Sequence, residues 1–565
     1  MTEAIAPTPK MARTSTIARI GWAVLILATL YVCYFSHLGA IGFVGPDEPR
    51  YAWIARDMVE SGDWVTPRLY GKPWFEKPPL FYWSAAACFK LFGVSEVAAR
   101  LPSAISALLA TLALAWLALR LYGAETSRWL LLLLPTTVGM IGFSHAAATD
   151  MPFSGMLTIA MVCAAVVLGL TRNENTPILP RTPWIALVLF GFFLGLAVLA
   201  KGPAAIILSG GAIFFWALFT KRWRDAFRLF HPISLASFCL TALPWYILCA
   251  RRNPDFFRIF IIEHNFKRYL TPEFQHIQPF WYYVPVLLLA FLPWIALLLW
   301  SSIACAIHII RTRRVYPSSL FLISWTAFCF LFFSISRSKL PGYILPAVPA
   351  IGLLLAHDLS CRLRRNGLST RLLGLSIAAS LLAVAYVVDL FSERIPFVTD
   401  LRPPESPGVF SGLMFLGAIL VTILSVWRGN RTVAAIAVTA LLFPIFFTFG
   451  PDDLWQLDEG VSARQASKDA MEYLCVPAVR QATSYKLSRG LKYGLEFYLR
   501  REIDEWNTSA NYRTVIFTTH RGSAELQKLG ISCSYYIAFP AVELCGITDA
   551  VRKAPNISPG SGQPH

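Results

Sequence analysis

The sequence predicts a polytopic α-helical membrane protein with about 13 transmembrane helices, followed by a C-terminal extracytoplasmic α/β domain. Three observations support this fold class. Hydrophobic residues make up 56% of the 565 residues and charged residues only 15%, whereas about a quarter of a soluble globular chain is charged. Apolar runs long enough to cross the hydrocarbon core of a bilayer recur from Ile17 to Phe449. After residue 450 the composition becomes that of an ordinary soluble chain.

The transmembrane region is expected to occupy residues 1–450. A further apolar stretch, Pro79–Phe92, is short and carries Lys90, so we interpret it as a re-entrant or interfacial helix. The predicted spans lie at 18–40, 97–121, 126–144, 151–170, 184–200, 203–220, 232–250, 279–303, 318–335, 342–358, 371–390, 409–427 and 431–449.

The distribution of Lys and Arg predicts the orientation. Every second connection between spans is short and rich in arginine, as at 221–228 and 311–314, and the remaining connections mix bases with acids, His and Pro. Because cytoplasmic loops are enriched in Lys and Arg, the N-terminus is expected inside. The loop at 41–80 and the tail from 451 are then outside. This topology accounts for much of the net charge of +17, and nucleic-acid binding is not expected.

Residues 451–553 are predicted to form the small α/β domain. The segments 464–474 and 490–501 are typical of helices, and 514–519 and 534–539 are typical of strands. If this domain is extracytoplasmic, its cysteines Cys475, Cys533 and Cys545 permit one disulfide. The final segment, 554–565, is rich in Pro, Ser and Gly and is predicted to be disordered. The chain has no GxGxxG or GKS/T motif, which argues against a nucleotide-driven pump.

The first outer loop, at 41–80, is too long and too charged to be a simple connector. Loops on a rigid scaffold are where binding and catalytic groups collect. Pro49 suits the first position of a helix over about 49–60, and we expect Glu48 or its neighbour Asp47 to cap it. That helix would lie along the membrane surface, end at Gly62 and place Tyr51, Ile54 and Met58 on one face.

Ionisable residues also occur in the other outer loops, although each costs about 2.5–3.5 kcal/mol at the centre of a span. Those that remain near spans usually mark a site or a pathway. Clustered Lys and Arg recognise phosphate, and no nucleotide sugar is available outside the cytoplasm. The pattern therefore predicts an outward-facing site for phosphorylated lipids, with carboxylates available. The residues concerned are His145, Asp150, Lys201, Arg251, Arg252, Glu263, His264, Lys267, Arg268, Arg337, Lys339 and Tyr343.

The first loop resembles that of the GT-C membrane glycosyltransferases, with Asp47-Glu48, Arg50-Tyr51 and Trp74-Phe-Glu-Lys-Pro-Pro-Leu80. Within that superfamily the chain resembles the bacterial lipid A aminoarabinose transferases, which are related to the protein O-mannosyltransferases. The resemblance extends over most of the membrane region. Its supporting segments are Ser-Gly-Asp-Trp64, Thr-Asp-Met-Pro152, Ala-Lys-Gly-Pro203, Glu-His-Asn-Phe266 and Ser-Lys-Leu-Pro-Gly-Tyr-Ile-Leu-Pro346.

The resemblance implies a polyprenyl-phosphate-dependent enzyme of the bacterial inner membrane that acts as a monomer at the periplasmic face. It would move 4-amino-4-deoxy-L-arabinose from undecaprenyl phosphate to a phosphate of lipid A or lipopolysaccharide, and so confer polymyxin resistance. Carried over by motif, Asp47 and Asp150 are the catalytic carboxylates. Glu76 and His264 are candidate ligands of a divalent metal, and no other cofactor is implied. The groups expected to bind the donor phosphate or lipid are Arg50, Tyr51, Lys77, Lys201, Arg268, Lys339 and Tyr343.

Two alternatives remain open from the sequence. A related transferase could move another lipid-linked sugar, such as galactosamine, mannose or glucose, to lipid A or to protein. A transporter of lipid-linked sugars would explain the spans. It would not explain the long first loop. A transporter also predicts ionisable groups along a transmembrane pathway, whereas in this sequence they gather in the loops expected at one face. A receptor whose tail binds a partner is a third reading, which the charged membrane loops disfavour.

Overall fold

The protein, represented by a computed structural model, is mainly helical. The structure describes residues 16–171, 183–267, 277–313, 315–365, 368–392, 415–423, 458, 460–473, 481–506, 515–529, 535–538 and 541–546. The predicted span at 431–449 and the predicted tail at 554–565 lie outside these residues.

The segment at 41–80, after the first helix, contains a second helix and a short hairpin. Helix α1 spans Thr16–Tyr34 and α2 spans Asp47–Ser61. The antiparallel strands β1 (Arg68–Leu69) and β2 (Lys72–Pro73) follow, and then α3 (Leu80–Phe92). Gly62 ends α2 in the left-handed conformation, at φ 73°, which glycine adopts without steric cost. The predicted end of this helix is therefore confirmed.

The rest of the membrane region is a succession of helices with short breaks. The helices are α4 (Glu96–Tyr122), α5 (Ala124–Leu133), α6 (Val138–Ser144), α7 (Asp150–Val167), α8 (Trp184–Lys201), α9 (Ala204–Thr220), α10 (Trp223–Phe227), α11 (Pro232–Arg252), α12 (Tyr283–Ala290), α13 (Ile295–Thr312), α14 (Pro317–Ile335), α15 (Val348–Arg365) and α16 (Leu368–Ser392). A π-helix at Arg258–Lys267 follows α11, and a 3-10 helix at Pro341–Ala347 leads into α15.

Seven helices within the described residues are long and apolar enough to span a membrane, and the bent pair α5–α6, with a 63° break, would make an eighth. The chain is therefore a multi-pass membrane protein. The count of about 13 stays a prediction, since it includes segments outside the described residues and shorter apolar helices such as α1 and α9. Helix α3 is present where a short apolar helix was predicted, and its re-entrant or interfacial placement stays a prediction.

Small residues let the central helices pack closely. A Cβ atom on Gly155 of α7 would lie 2.8 Å from the carbonyl oxygen of Ser106 on α4, and one on Gly191 of α8 would lie 2.2 Å from that of Ser234 on α11. Small residues at helix interfaces allow such close approach in membranes. Helices α7 and α8 pack against each other so that the first residue of α7, Asp150, meets the last residue of α8.

The C-terminal strands β3 (Thr483–Ser484), β4 (Val515–Thr518), β5 (Tyr535–Ala538) and β6 (Glu543–Gly546) form a four-stranded sheet of order β3-β4-β6-β5, with helices beside it. Strand β3 is parallel to β4, and β6 is antiparallel to both β4 and β5. Cys545 of β6 is disulfide-bonded. Helices are present in the predicted helical segments 464–474 and 490–501, and strands are present in the predicted strand segments 514–519 and 534–539. The helices of this region are α17 (Arg464–Tyr473), α18 (Arg489–Leu499) and α19 (His520–Lys528).

These C-terminal elements contact the turn that follows α1 and the start of α4. Arg464 donates hydrogen bonds to the carbonyl oxygens of Gly39 and Ala40, at 2.9 and 2.6 Å. The Tyr498 hydroxyl donates to the Glu96 carboxylate at the start of α4, at 2.8 Å. Polar contacts of this kind fix the sheet and its helices against the turn that leads into α2.

Candidate functional site

The first part of the site forms around the start of α2. Arg50 lies one turn after Asp47, and its guanidinium donates to the Asp47 carboxylate. The same guanidinium pairs with Glu76, from the turn before α3, at 3.0 Å. Lys77 lies 3.5 Å from the other Glu76 oxygen. The structure thus brings together four residues that the sequence selected.

Aromatic rings surround the Arg50 guanidinium. Its central carbon lies 5.8, 5.6 and 5.3 Å from the ring centroids of Tyr51, Trp74 and Tyr493. Burial opposes the charge on Arg50, but Glu76, Tyr51 and Asp47 favour it and raise the pKa of Arg50 above its usual value. The Arg50 side chain is only 5% exposed, whereas that of Asp47 is 46% exposed. Asp47 is therefore the member of this cluster best placed to meet a substrate.

Glu48 does not cap α2, so the expected capping role is wrong. Pro46 occupies the cap position, and no side chain caps the helix. The buried Glu48 carboxylate instead forms a bidentate pair with Arg100 of α4, at 3.0 and 2.7 Å. It also accepts hydrogen bonds from the backbone N–H groups of Val44 and Ala147, at 2.8 and 2.6 Å. A buried carboxylate needs such partners to remain charged.

The second part of the site lies where α7 begins and α8 ends. The Lys201 ammonium donates to the Asp150 carboxylate. An acid at a helix N-terminus and a base at a helix C-terminus both complement the helix dipole. The Lys201 nitrogen also lies 4.6 Å from the ring centroid of Tyr343. A Cβ atom on Gly342 would come within 2.7 Å of Asp150, so glycine allows this turn to approach the pair.

Two connections join these parts. The first is the hydrogen bond from Ala147, three residues before Asp150, to Glu48, which is adjacent to Asp47. The second is an apolar cluster around Phe75 and Leu199, with Trp245, Phe256 and Phe260. Phe75 precedes Glu76, and Leu199 lies two residues before Lys201. Buried contacts thus hold the segment at 41–80 beside the start of α7 and the end of α8.

The remaining predicted residues have different environments. Tyr51 is 1% exposed and packs against Phe81 and Tyr82, together with Ile54 and Met58 on the same helix face. The shared face predicted for α2 is therefore confirmed. Burial raises the pKa of Tyr51, so its hydroxyl stays protonated at neutral pH.

Lys339 is buried and donates hydrogen bonds to the carbonyl oxygens of Gln278 and Ser336, at 3.0 and 2.5 Å. These contacts tie the loop before the Pro341–Ala347 turn to the segment that precedes α12. Burial lowers the pKa of Lys339, and the nearby Arg337 lowers it further.

Metal binding at Glu76 and His264 stays a prediction. The Glu76 carboxylate already has Arg50 and Lys77 as cationic partners, which does not favour a dication beside it. No group of three His, Cys, Asp or Glu side chains suited to a metal occurs in the part of the chain that the structure describes. Neither the His264 side chain nor Arg268 belongs to that part.

Some site residues could not be selected from the sequence. Tyr493 of α18 reaches Arg50 from the C-terminal region. Tyr70 donates to Glu496 of the same helix, and Arg56 donates to the Phe497 carbonyl at 3.0 Å. The i, i+4 spacing of Arg56 and Glu60 predicts a solvated ion pair. The pair is present at 3.9 Å and Glu60 is 61% exposed, but Arg56 is only 4% exposed, so the predicted solvation of Arg56 is wrong. The amphipathic pattern of α18 predicts that one face of the helix is buried, but it does not predict which residues that face contacts.

A family model described as "Dolichyl-phosphate-mannose-protein mannosyltransferase" matches residues 20–260. Two relatives are named "Undecaprenyl phosphate-alpha-4-amino-4-deoxy-L-arabinose arabinosyl transferase". The one from Serratia proteamaculans is 31% identical over 414 residues, which cover 72% of this chain and 72% of the relative. The one from Erwinia tasmaniensis is 34% identical over 313 residues, which cover 55% of this chain and 54% of the relative. The chain thus spans about half the length of that second relative.

The fold is also that of a solved structure, "ArnT from Cupriavidus metallidurans bound to Undecaprenyl phosphate". The two chains are 24% identical, and the TM-score is 0.72 over 94% of this chain and 98% of the other. At this identity the likeness establishes the fold alone. Because the match extends over nearly the whole of both chains, it includes the helical region and the C-terminal elements.

Proposed function

We propose a function from the premise that this chain belongs to the undecaprenyl phosphate-alpha-4-amino-4-deoxy-L-arabinose arabinosyl transferase family, with the helical GT-C fold. Membership confirms the resemblance seen in the motifs. The proposed activity is transfer of 4-amino-4-deoxy-L-arabinose from undecaprenyl phosphate to a phosphate of lipid A. The reaction takes place at the periplasmic face of the inner membrane.

One observation carries this proposal. Two carboxylates, Asp47 and Asp150, each contact a cation, Arg50 and Lys201, in loops that Glu48 joins through its bond to the Ala147 N–H. A reaction between two phosphorylated lipids requires cations for the phosphates and a carboxylate near the reacting carbon. The arrangement offers both kinds of group from neighbouring loops.

The acceptor needs little activation. A phosphate monoester has a second pKa of about 6, so a lipid A phosphate is largely ionised at neutral pH. One of its oxygens forms a new bond to the anomeric carbon of the aminopentose. The bond from that carbon to the undecaprenyl phosphate oxygen breaks, and the electron pair leaves with that oxygen. A single displacement of this kind inverts the anomeric centre.

Asp47 then acts mainly by orientation and electrostatics. It is partly exposed and lies beside Arg50, where it can orient the acceptor and stabilise positive charge that develops on the sugar. The departing undecaprenyl phosphate is an anion, and preorganised cations stabilise charge where it grows. Arg50, Lys77 and Lys201 are assigned to that task, and Arg268 is assigned to it by motif.

The remaining groups are assigned to positioning. Asp150 holds the Lys201 ammonium, and Tyr343 presents its ring to the same nitrogen. Tyr51 anchors α2 by packing against Phe81 and Tyr82 of α3. Lys339 fixes the loop that leads to Tyr343. Tyr493 covers Arg50 from α18. The C-terminal α/β domain is therefore proposed to lie outside with the site and to close one side of it.

The full topology is proposed as about 13 spans with the C-terminal domain in the periplasm, in a chain that acts as a monomer. The arginine-rich connections then lie in the cytoplasm. The net charge of +17 is mainly a topological signal.

Mass spectrometry of lipid A tests this function. Cells with and without the intact gene are compared, and the gene with Asp47→Asn serves as a third arm. A mass increase of one aminopentose residue that requires both the gene and Asp47 supports the proposal. A hexose-sized increase would replace it with transfer of another sugar. Unchanged lipid A would refute the proposal. Sugar transfer to a protein and transport of a lipid-linked sugar would then be the remaining functions.

A further inference from the structure

A groove opens between α1 and α5, away from the candidate site. Trp22 forms one wall, and it is held by edge-on packing against Trp129, with ring centroids 5.4 Å apart. Two arginines, one from each helix, reach the same groove. The lining residues are Arg19, Trp22, Ala23, Ile26 and Arg128.

In the proposed topology α1 spans the membrane, so the groove lies near the opposite membrane surface from the candidate site. Helix α1 has 19 residues and is about 28 Å long at about 1.5 Å per residue. Just after its end, the Ser36 carbonyl contacts His145, and the turn at 38–42 contacts Arg100. Those contacts belong to the loops of the site. Arg19, in the first turn of α1, therefore lies about 22 Å along the helix axis from the end of α1 that leads to the site.

The groove is open to the bilayer. An exposed apolar stripe runs along α1 at alternating spacings of three and four residues, which marks one helix face. The stripe consists of Ile17, Ile20, Val24, Leu27 and Tyr31, which are 82, 58, 60, 67 and 63% exposed. The groove residues of α1 lie on the face next to it. A molecule in the groove would thus contact hydrocarbon on one side and two guanidinium groups on the other.

We propose that this groove binds the headgroup phosphate of an anionic phospholipid, whose acyl chains follow the apolar stripe of α1. Guanidinium groups match phosphate oxygens in geometry and keep their charge. Basic pockets between transmembrane helices bind anionic headgroups. The acid nearest in sequence to Arg128, Glu125, pairs with Arg364 at 2.6 Å, so its charge is balanced outside the groove. This inference is independent of the proposed transfer reaction.

The test uses the full chain in detergent and native mass spectrometry with phosphatidylglycerol or phosphatidylethanolamine. The Arg19→Ala/Arg128→Ala variant removes both cations. Ala23→Trp fills the groove without changing charge. The matched control is Arg120→Ala/Arg311→Ala, which removes two exposed arginines from the last turns of α4 and α13. Circular dichroism and gel filtration verify the fold of each variant.

The wild-type chain should prefer phosphatidylglycerol to phosphatidylethanolamine. Loss of both arginines should weaken phosphatidylglycerol binding about 30-fold, and Ala23→Trp should also weaken it. The control should bind like the wild type. Equal binding by the double variant and its control would overturn the proposal, as would unchanged binding by Ala23→Trp. Displacement of the lipid by millimolar inorganic phosphate would show that the groove takes free phosphate, which would also overturn it.

Discussion

The Glu48 carboxylate and the Arg100 guanidinium form a buried bidentate ion pair that joins the start of α2 to α4. Arg100 also donates to three carbonyl oxygens in the turn at 38–42, at 2.6–2.8 Å. Glu48 in turn holds the N–H of Ala147, three residues before Asp150. The pair therefore sets the position of α2 relative to the start of α7.

Replacing Glu48 with Gln should destabilise the protein strongly. The change leaves Arg100 as an uncompensated buried charge, and breaking a buried pair in this way costs about 3–5 kcal/mol. Thermal unfolding in detergent measures the effect. The matched control is Glu60→Gln, because Glu60 lies on the same helix but is 61% exposed.

The double variant Glu48→Gln/Arg100→Met should be more stable than Glu48→Gln alone, since it removes the unpaired charge. Its transfer rate should remain low, because the start of α2 is no longer held by the Glu48 carboxylate against Arg100 and Ala147. Equal stability of Glu48→Gln and Glu60→Gln would contradict the role assigned to the pair.

Lys201 and Asp150 should behave as one unit. The pair is partly buried, at 11 and 20% side-chain exposure, and truncating one partner of such a hydrogen-bonded charge pair leaves the other uncompensated. Lys201→Met should therefore lower kcat/KM for the donor by about 30-fold. Lys221→Met is the control, since Lys221 is exposed at the end of α9. Steady-state kinetics with a defined donor measures both.

A double-mutant cycle checks the coupling between these two residues. Lys201→Met combined with Asp150→Asn should reduce kcat/KM by much less than the product of the single effects, as residues in contact usually do. Additive effects would mean that the two residues act separately on the substrates.

The contact between α18 and the β1–β2 turn should weaken as the pH rises. Burial raises the pKa of Glu496, whose carboxylate accepts from Tyr70 and from the Ile503 N–H. The folded state then binds a proton more tightly than the unfolded state, which favours folding at acid pH. Stability from this group is complete below the ordinary glutamate pKa and is lost as pH rises through the elevated value.

Hydrogen exchange of α18 measured as a function of pH tests this. The wild-type helix should be better protected near pH 5 than at neutral pH, and Glu496→Gln should remove the difference. Glu505→Gln is a suitable control because Glu505 is 82% exposed. Protection that rises with pH in the wild type would refute the assignment.

Local patterns in the sequence predicted those features that depend on local geometry. The buried face of Tyr51, Ile54 and Met58 follows from helical spacing, and the end of α2 follows from Gly62. Asp150 and Lys201 were predicted as site residues because they are ionisable groups at the ends of apolar runs, and the structure places them in contact. Each of these inferences needed only one or two neighbouring elements.

Long-range contacts explain what the sequence did not predict. Glu48 was expected to cap α2, but its partner Ala147 lies 99 residues away. Arg56 was expected to be solvated, but it donates to Phe497, 441 residues away. Tyr493 was not predicted as a site residue because its partner, Arg50, is likewise distant in sequence. Capping rules and helical spacings carry no information about partners that another part of the chain brings in, and tertiary packing overrides them.

Transfer in reconstituted vesicles by the wild-type chain and by Asp47→Asn tests the central claim most directly. Vesicles contain lipid A and undecaprenyl phosphate-linked aminoarabinose as the defined donor, and single-turnover transfer is followed by mass spectrometry. Asp47 is 46% exposed, so Asn should leave the fold intact. The account predicts aminopentose transfer by the wild type and a rate about 100-fold or more lower for Asp47→Asn. Full transfer by the folded Asp47→Asn variant, or no transfer by the wild type, would contradict it.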